Sequence, residues 1–245
     1  MPRDSGDILT DPPPPPADAR LAYGDEPLQF GDLRLPHGDG PFRLAVMVHG
    51  GYWQATYNLI HAGHLCVALA EAGIATWNVE YRRLGDAGGG WPGTGEDVAR
   101  AVAFVDELPL ERENVVLVGH SAGGQLALWA TKRAQLPVVA LAPVSDVRES
   151  AQRTGPEGVP ASFVGESRFE ELSPIELLPL GVRQILVHGT ADDSVPYAMS
   201  VRYVDAAGGE AELVTLEGAG HFELIDPQAR EWPRVLSVIE AALES

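Results

Sequence analysis

Val115-Val116-Leu117-Val118-Gly119-His120-Ser121-Ala122-Gly123-Gly124 is the stretch from which the fold is read. A short apolar run bounded by turn signals suits a strand buried on both faces. It leads straight into Gly-His-Ser-Ala-Gly, and a helix is expected over residues 125–133. Gly-x-Ser-x-Gly set between such a strand and a helix is the pattern of a nucleophile elbow. The serine sits on a tight, strained turn, so the residues two positions either side must be small. Gly119 and Gly123 meet that need, and Gly124 lets strand and helix pack closely. The helix begins just after Ser121, so its positive end faces any developing oxyanion.

Working outward, the same alternation of strand and helix continues in both directions. Upstream, strands are expected over residues 28–35, 44–48 and 74–81, with helices over 59–72 and 96–108. Downstream, strands are expected over 138–141, 184–187 and 212–216, with helices over 197–207 and 231–243. Strands alternating with helices imply a mostly parallel central sheet covered on both faces, the α/β class. Residues 147–180 show no clear periodicity and carry Pro156, Pro160, Pro174 and Pro179. A segment of that length within a compact domain is usually functional, so a small lid insertion with short helices is expected there. Residues 21–245 read as one domain. Residues 1–20 read as a disordered leader stiffened by Pro12 to Pro16.

The glycine-rich loop over residues 85–95 matches G-x-G-x-x-G at Gly88, Gly90 and Gly93. Trp91-Pro92 interrupts it and the next helix starts late, so it reads as a wall of the site rather than a dinucleotide loop.

Composition narrows the function classes. With 17 basic against 35 acidic side chains, the formal net charge is −18. Such a surface repels phosphate backbones and anionic membranes, so neither nucleic acid nor a membrane is an expected partner. No apolar run approaches membrane-spanning length, and the first twenty residues lack a secretion signal, so a cytoplasmic location is expected. A homo-oligomer is compatible with this composition. Cys66 is the only cysteine, which leaves no intramolecular disulfide and no thiolate cluster; it reads as an inert core thiol. His61 and His64 lie near Cys66, but no acidic residue completes a ligand set, so no metal and no cofactor is expected. The only lysine, Lys132, reads as solvated at the end of the elbow helix.

Three polar residues fall just past the ends of three separate strands: Ser121, Asp192 and His221. Chemistry in open α/β sheets collects at those ends. A serine hydroxyl is a poor nucleophile at neutral pH and needs a base within hydrogen-bond reach. His221 can be that base and later the acid toward the leaving group. Asp192 would fix its tautomer and stabilise the imidazolium. Asp193 and Asp146 are the rivals for the acid. His188 ends a strand and reads as a buried, satisfied group. In His49-Gly50-Gly51-Tyr52-Trp53, small residues let backbone N–H groups turn toward a bound carbonyl. Gly51, Tyr52 and Ala122 are the candidate oxyanion donors.

On these motifs the chain resembles the α/β-hydrolase superfamily, and the His-Gly-Gly-Tyr-Trp and Gly-His-Ser-Ala-Gly-Gly runs resemble its kynurenine formamidase and carboxylesterase branch. His188-Gly189-x-x-Asp192-x-x-Val195-Pro196 is similar to acid loops in that superfamily. The resemblance covers the chain from about residue 23 onward and implies a serine hydrolase acting through an acyl-enzyme. It leaves two substrates open, small acyl esters and an aryl formamide such as N-formylkynurenine. Trp53, Trp91, Phe163 and Phe222 are the candidate substrate-binding residues, and a compact, partly aromatic small molecule is the expected ligand. A binding protein of the same fold without turnover is the alternative of another class.

Overall fold

The computed structural model describes residues 4–244. Its elements are β1 (Ala19–Ala22), β2 (Phe30–Arg34), β3 (Phe42–Val48), α1 (Gly63–Glu71), β4 (Ile74–Val79), α2 (Gly93–Ala103), β5 (Arg112–His120), α3 (Ala122–Ala134), β6 (Val138–Leu141), α4 (Val147–Thr154), α5 (Val159–Val164), β7 (Gln184–Gly189), α6 (Tyr197–Ala207), β8 (Ala211–Leu216) and α7 (Trp232–Leu243). The eight strands form one sheet in the order β1-β2-β4-β3-β5-β6-β7-β8. β2 runs antiparallel to both β1 and β4 at one edge, and β3 through β8 are parallel to one another. This is the α/β-hydrolase architecture.

Both faces of the sheet are covered, which is why its central strands read as unbroken apolar runs rather than as an alternation. Along β3, Leu44, Val46 and Val48 point into one core with α2, α3 and α6, whereas Ala45 and Met47 point into the other with α1 and α7. The elbow strand β5 repeats the pattern, with Leu117 on the first side and Val116 and Val118 on the second. Cys66 lies in the second core, where burial pushes its thiol up to about 12.

Two expectations about organisation differ from what is observed. Of the leader expected to be disordered, residues 1–3 lie outside the described residues, as does residue 245 at the other end. The rest is packed on the domain. A 3₁₀ turn over Ser5–Leu9 buries Ile8 in the second core. The proline run lies against the start of α1, and Arg34 donates to the carbonyls of Pro15 and Pro16 at 2.6 and 2.9 Å. β1 follows at once, paired with β2.

The 147–180 segment does contain short helices, α4 and α5. It is docked beside α3, where Phe163, Leu172 and Leu180 join the first core. Trp129 Nε1 and Gln125 Nε2 donate to the carbonyls of Glu171 and Leu172 at 3.0 and 2.9 Å. Lys132, expected in water, donates to the Leu177 carbonyl at 2.6 Å.

Candidate active site

β5 ends at His120 and α3 begins at Ala122, so the whole reversal is made at Ser121, with φ 56° and ψ −119°. That left-handed conformation is strained for a residue with a side chain, and such strain persists only where the surroundings hold it. Ser121 N–H donates to the Leu141 carbonyl at 2.8 Å, and the Ser121 carbonyl accepts from Gln125 and Val144, each at 3.2 Å. A Cβ on Gly123 would collide with the carbonyls of Val48 and His49, and one on Gly119 with the Gly123 carbonyl. The glycines therefore permit the approach of β3, β5 and α3 that leaves Ser121 facing outward.

Ser121 lines a cavity of about 360 Å³ together with Leu9, Gly51, Tyr52, Tyr57, His61, His120, Val144, Ser194, Val195, His221 and Phe222. Ser121 and His221 thus face one space from the ends of different strands. His221 Nδ1 is 2.7 Å from Asp192 Oδ2. With Nδ1 donating to the carboxylate, Nε2 is the nitrogen left for the serine. The Asp192 side chain is fully buried, and its Oδ1 accepts from the backbone N–H groups of Ser194 and Val195 at 2.9 and 2.8 Å. Burial alone would raise its pKa. Hydrogen bonds from His188 and His221 outweigh that and hold the carboxyl well below the ordinary aspartate range.

The rival acids are placed elsewhere. Asp146 caps α4, accepting from Glu149 N–H at 2.9 Å, and Asp193 accepts from the Ser194 hydroxyl at 3.1 Å. His188 does more than fill the core. Its Nε2 lies 3.2 Å from Asp192 Oδ2 and 3.0 Å from the Val195 carbonyl, while its Nδ1 meets Ser200 Oγ at 2.7 Å. His188 and His221 therefore meet the same oxygen, Asp192 Oδ2, while Oδ1 is held by the backbone. The four-residue spacing of His188 and Asp192 was the signal for this contact.

Past β3, Gly51 has φ 105°, and Tyr52 and Trp53 both have φ 56°. This left-handed turn brings Gly51 and Tyr52 to the cavity. Ala122, the first residue of α3, lies beside Ser121, and an N–H at that position has no carbonyl a turn earlier to bind it. The turn is braced from below by a buried network that sequence reasoning missed. His49 Nε2 lies 2.9 Å from Glu80 Oε1, Arg83 lies 3.1 Å from the same oxygen, and the Tyr81 hydroxyl donates to the His49 carbonyl at 2.6 Å. Burial would raise the Glu80 pKa, but His49 and Arg83 hold it down.

Of the four candidate substrate-binding residues, only Phe222 lines the cavity. Trp53 is fully buried. Its indole N–H donates to Gln125 Oε1 at 2.9 Å, and its ring stacks on Phe163 with centroids 4.5 Å apart. Trp91 packs edge-on against Trp129 at 4.8 Å. The Trp53, Phe163 and Trp91 rings form a core layer that joins the turn after β3, α3 and α5. The glycine-rich loop also lies away from the cavity and is held to α5 through the bond from Trp91 N–H to the Phe163 carbonyl.

Two other imidazoles face the cavity, and burial keeps both neutral. The His61 ring is held down to about 3, helped by its neighbour His49. His120 lies well below its ordinary value, and its Nε2 donates to the His221 carbonyl at 3.1 Å. Among the described residues, no group of three or more His, Cys, Asp or Glu side chains is arranged to hold a metal ion. None of the helices there is long and apolar enough to cross a membrane.

A family model described as Serine hydrolase matches residues 101–241, more than half of the chain, from α2 through α7. The chain belongs to the serine hydrolase family. The family match spans all three of Ser121, Asp192 and His221. A second family model, BD-FAE, matches residues 32–150 of this serine hydrolase. Among solved structures, it is similar to an esterase B from Lactobacillus rhamnosis at 17% identity and TM-score 0.80, over 98% of this chain and 91% of that one. It is also similar to a truncated carbohydrate esterase from gut microbiota at 19% identity and TM-score 0.76, over 94% and 99% of the two chains. A putative thioesterase from Silicibacter sp. matches at 25% identity and TM-score 0.70, over 90% of this chain and 84% of that one. No curated protein matches the sequence. The likeness to the two esterases speaks for the α/β-hydrolase fold.

Proposed function

We propose that this serine hydrolase cleaves small acyl esters through an acyl-enzyme on Ser121. The observation that carries the reading is the placement of Ser121 and His221 on one cavity, with His221 Nδ1 fixed on a buried carboxylate. His221 takes the hydroxyl proton as Ser121 Oγ attacks the ester carbonyl. The oxyanion forms toward the N–H groups of Gly51, Tyr52 and Ala122. Losing one such donor typically costs about 3–4 kcal/mol of transition-state stabilisation. His221 then gives its proton to the departing alcohol, which breaks the ester C–O bond. A water activated by the same ring hydrolyses the acyl-enzyme. Asp192 remains a carboxylate throughout and stabilises the imidazolium.

Preference for small substrates rests on the modest cavity of about 360 Å³ and its apolar lining by Leu9, Val144, Val195 and Phe222. It does not rest on residues 147–180. The aromatic side chains Tyr52, Tyr57 and Phe222 also suit a planar aryl group, which keeps the aryl formamide as the comparison of choice. The test is side-by-side turnover of p-nitrophenyl acetate, longer p-nitrophenyl esters and N-formylkynurenine. The short esters are expected to give the highest kcat/KM. A clear preference for N-formylkynurenine would move the reading to C–N hydrolysis. Binding without turnover of any of them would make the chain a receptor.

A further inference from the structure

We infer that the N-terminal segment is a working wall of the catalytic cavity and that Leu9 sets the length of apolar chain the site accepts. This inference rests on Ser121 being the nucleophile. Leu9 lines the same cavity as Ser121 and His221, yet it stands about 110 residues upstream and belongs to none of the motifs that mark the fold. It is one of three large hydrophobic side chains among the described residues that remain well exposed, at 36%. An exposed leucine at the mouth of an apolar cavity has a natural partner in the apolar part of a substrate.

The segment that carries Leu9 is fastened on both sides. On one side, Asp4 caps the 3₁₀ turn by accepting from Gly6 N–H at 2.9 Å, and Ile8 is 3% exposed in the core. Gly6 lies against the Phe222 ring, since a Cβ built on it would stand 3.8 Å from Phe222 Cδ2. On the other side, Thr10 and Asp11 N–H groups donate to the Asp7 carbonyl at 2.9 and 2.8 Å. His64 Nε2 then meets the Pro12 carbonyl at 3.0 Å, and Arg34 binds the carbonyls of Pro15 and Pro16. Five consecutive prolines limit the freedom of the free chain, so less conformational entropy is lost when the strap lies down. Adjacent residues divide the work: Ile8 points into the core and holds the turn, and Leu9 points at the cavity. The chain that meets Leu9 is apolar, and it can come from either the acyl or the alcohol side of the ester.

The experiment measures the rate of covalent labelling of Ser121 by O-alkyl p-nitrophenyl alkylphosphonates. One arm lengthens the alkyl group on phosphorus, which mimics the acyl side, and the other lengthens the O-alkyl group, which mimics the alcohol. Leu9→Ala should raise the hexyl-to-methyl rate ratio at least about tenfold in one of the two arms, the scale on which a hydrophobic pocket discriminates chain length. Leu9→Trp should lower it in the same arm. Leu35→Ala, a change at an equally exposed leucine away from the cavity, should leave the ratio unchanged. Ratios that match wild type in both arms for both Leu9 variants would overturn the inference. Turnover of p-nitrophenyl acetate by wild type is scored separately. Its absence beside a Leu9-dependent labelling ratio would reject the esterase reading and keep the wall.

Discussion

Asp192 accepts hydrogen bonds from His221, His188, Ser194 and Val195, and this separates it from Asp193 next door. Asp192→Asn should therefore lower kcat by roughly 10⁴-fold, the scale of the handicap when the base takes the wrong tautomer. Asp193→Asn and Asp146→Asn should each cost far less in the same assay. A crippling Asp146→Asn beside a mild Asp192→Asn would reassign the acid. The same carboxylate ties stability to pH. Its native pKa is depressed, so its contribution is complete above the unfolded value of about 4 and is lost as pH falls below that. The Tm gap between wild type and Asp192→Asn should accordingly be wide at neutral pH and close in stronger acid. Ser121, Asp192 and His221 were legible because each follows a strand within a short motif. Tyr57 and the brace of Glu80 and Arg83 were not, since each comes to its place through packing between distant segments.

The β5–α3 elbow depends on contacts too close for any side chain. Gly123→Ala would press a methyl group onto the Val48 and His49 carbonyls, both backbone atoms at the end of β3. Overpacking of this kind costs about 1–3 kcal/mol, and here the strain falls on the strand that carries the turn of Gly51 and Tyr52, the proposed oxyanion donors. Urea unfolding should show the lost stability and p-nitrophenyl acetate turnover should fall with it; a variant unchanged in both would mean the elbow is slack. The parallel strands and long helices were readable from apolar runs and helical spacing, and α6 falls on the expected 197–207. β1 escaped notice because it has four residues with alternate positions only half covered, and its pairing with β2 is set by an edge contact. Trp53, Trp91 and Phe163 point to substrate binding in the sequence because large aromatic residues cluster around ligands. They also cluster in cores, and the Gln125 partner that draws Trp53 inward is 72 positions away.

Across the whole molecule, the cavity at Ser121 is assembled from both ends of the chain. Leu9 comes from the N-terminal strap, Gly51 and Tyr52 from the end of β3, Ser121 from the elbow, and His221 and Phe222 from the loop after β8. The formal charge of −18 disfavours polyanionic ligands, and among the described residues no Asp, Glu, Lys or Arg lines the cavity, which agrees with the uncharged ester proposed as substrate. The proline run of the strap was illegible because polyproline has no hydrophobic period, and its place is set by contacts with α1 and Arg34. In the proposed reaction an acyl group passes through Ser121. The most direct measurement is mass spectrometry of enzyme quenched in acid during steady turnover of p-nitrophenyl acetate. Wild type should carry one acetyl group on the Ser121 peptide, and Ser121→Ala should carry none and release no p-nitrophenol above background. Sustained hydrolysis by Ser121→Ala, or an acetyl group on a different residue of an active enzyme, would rule out Ser121 as the nucleophile.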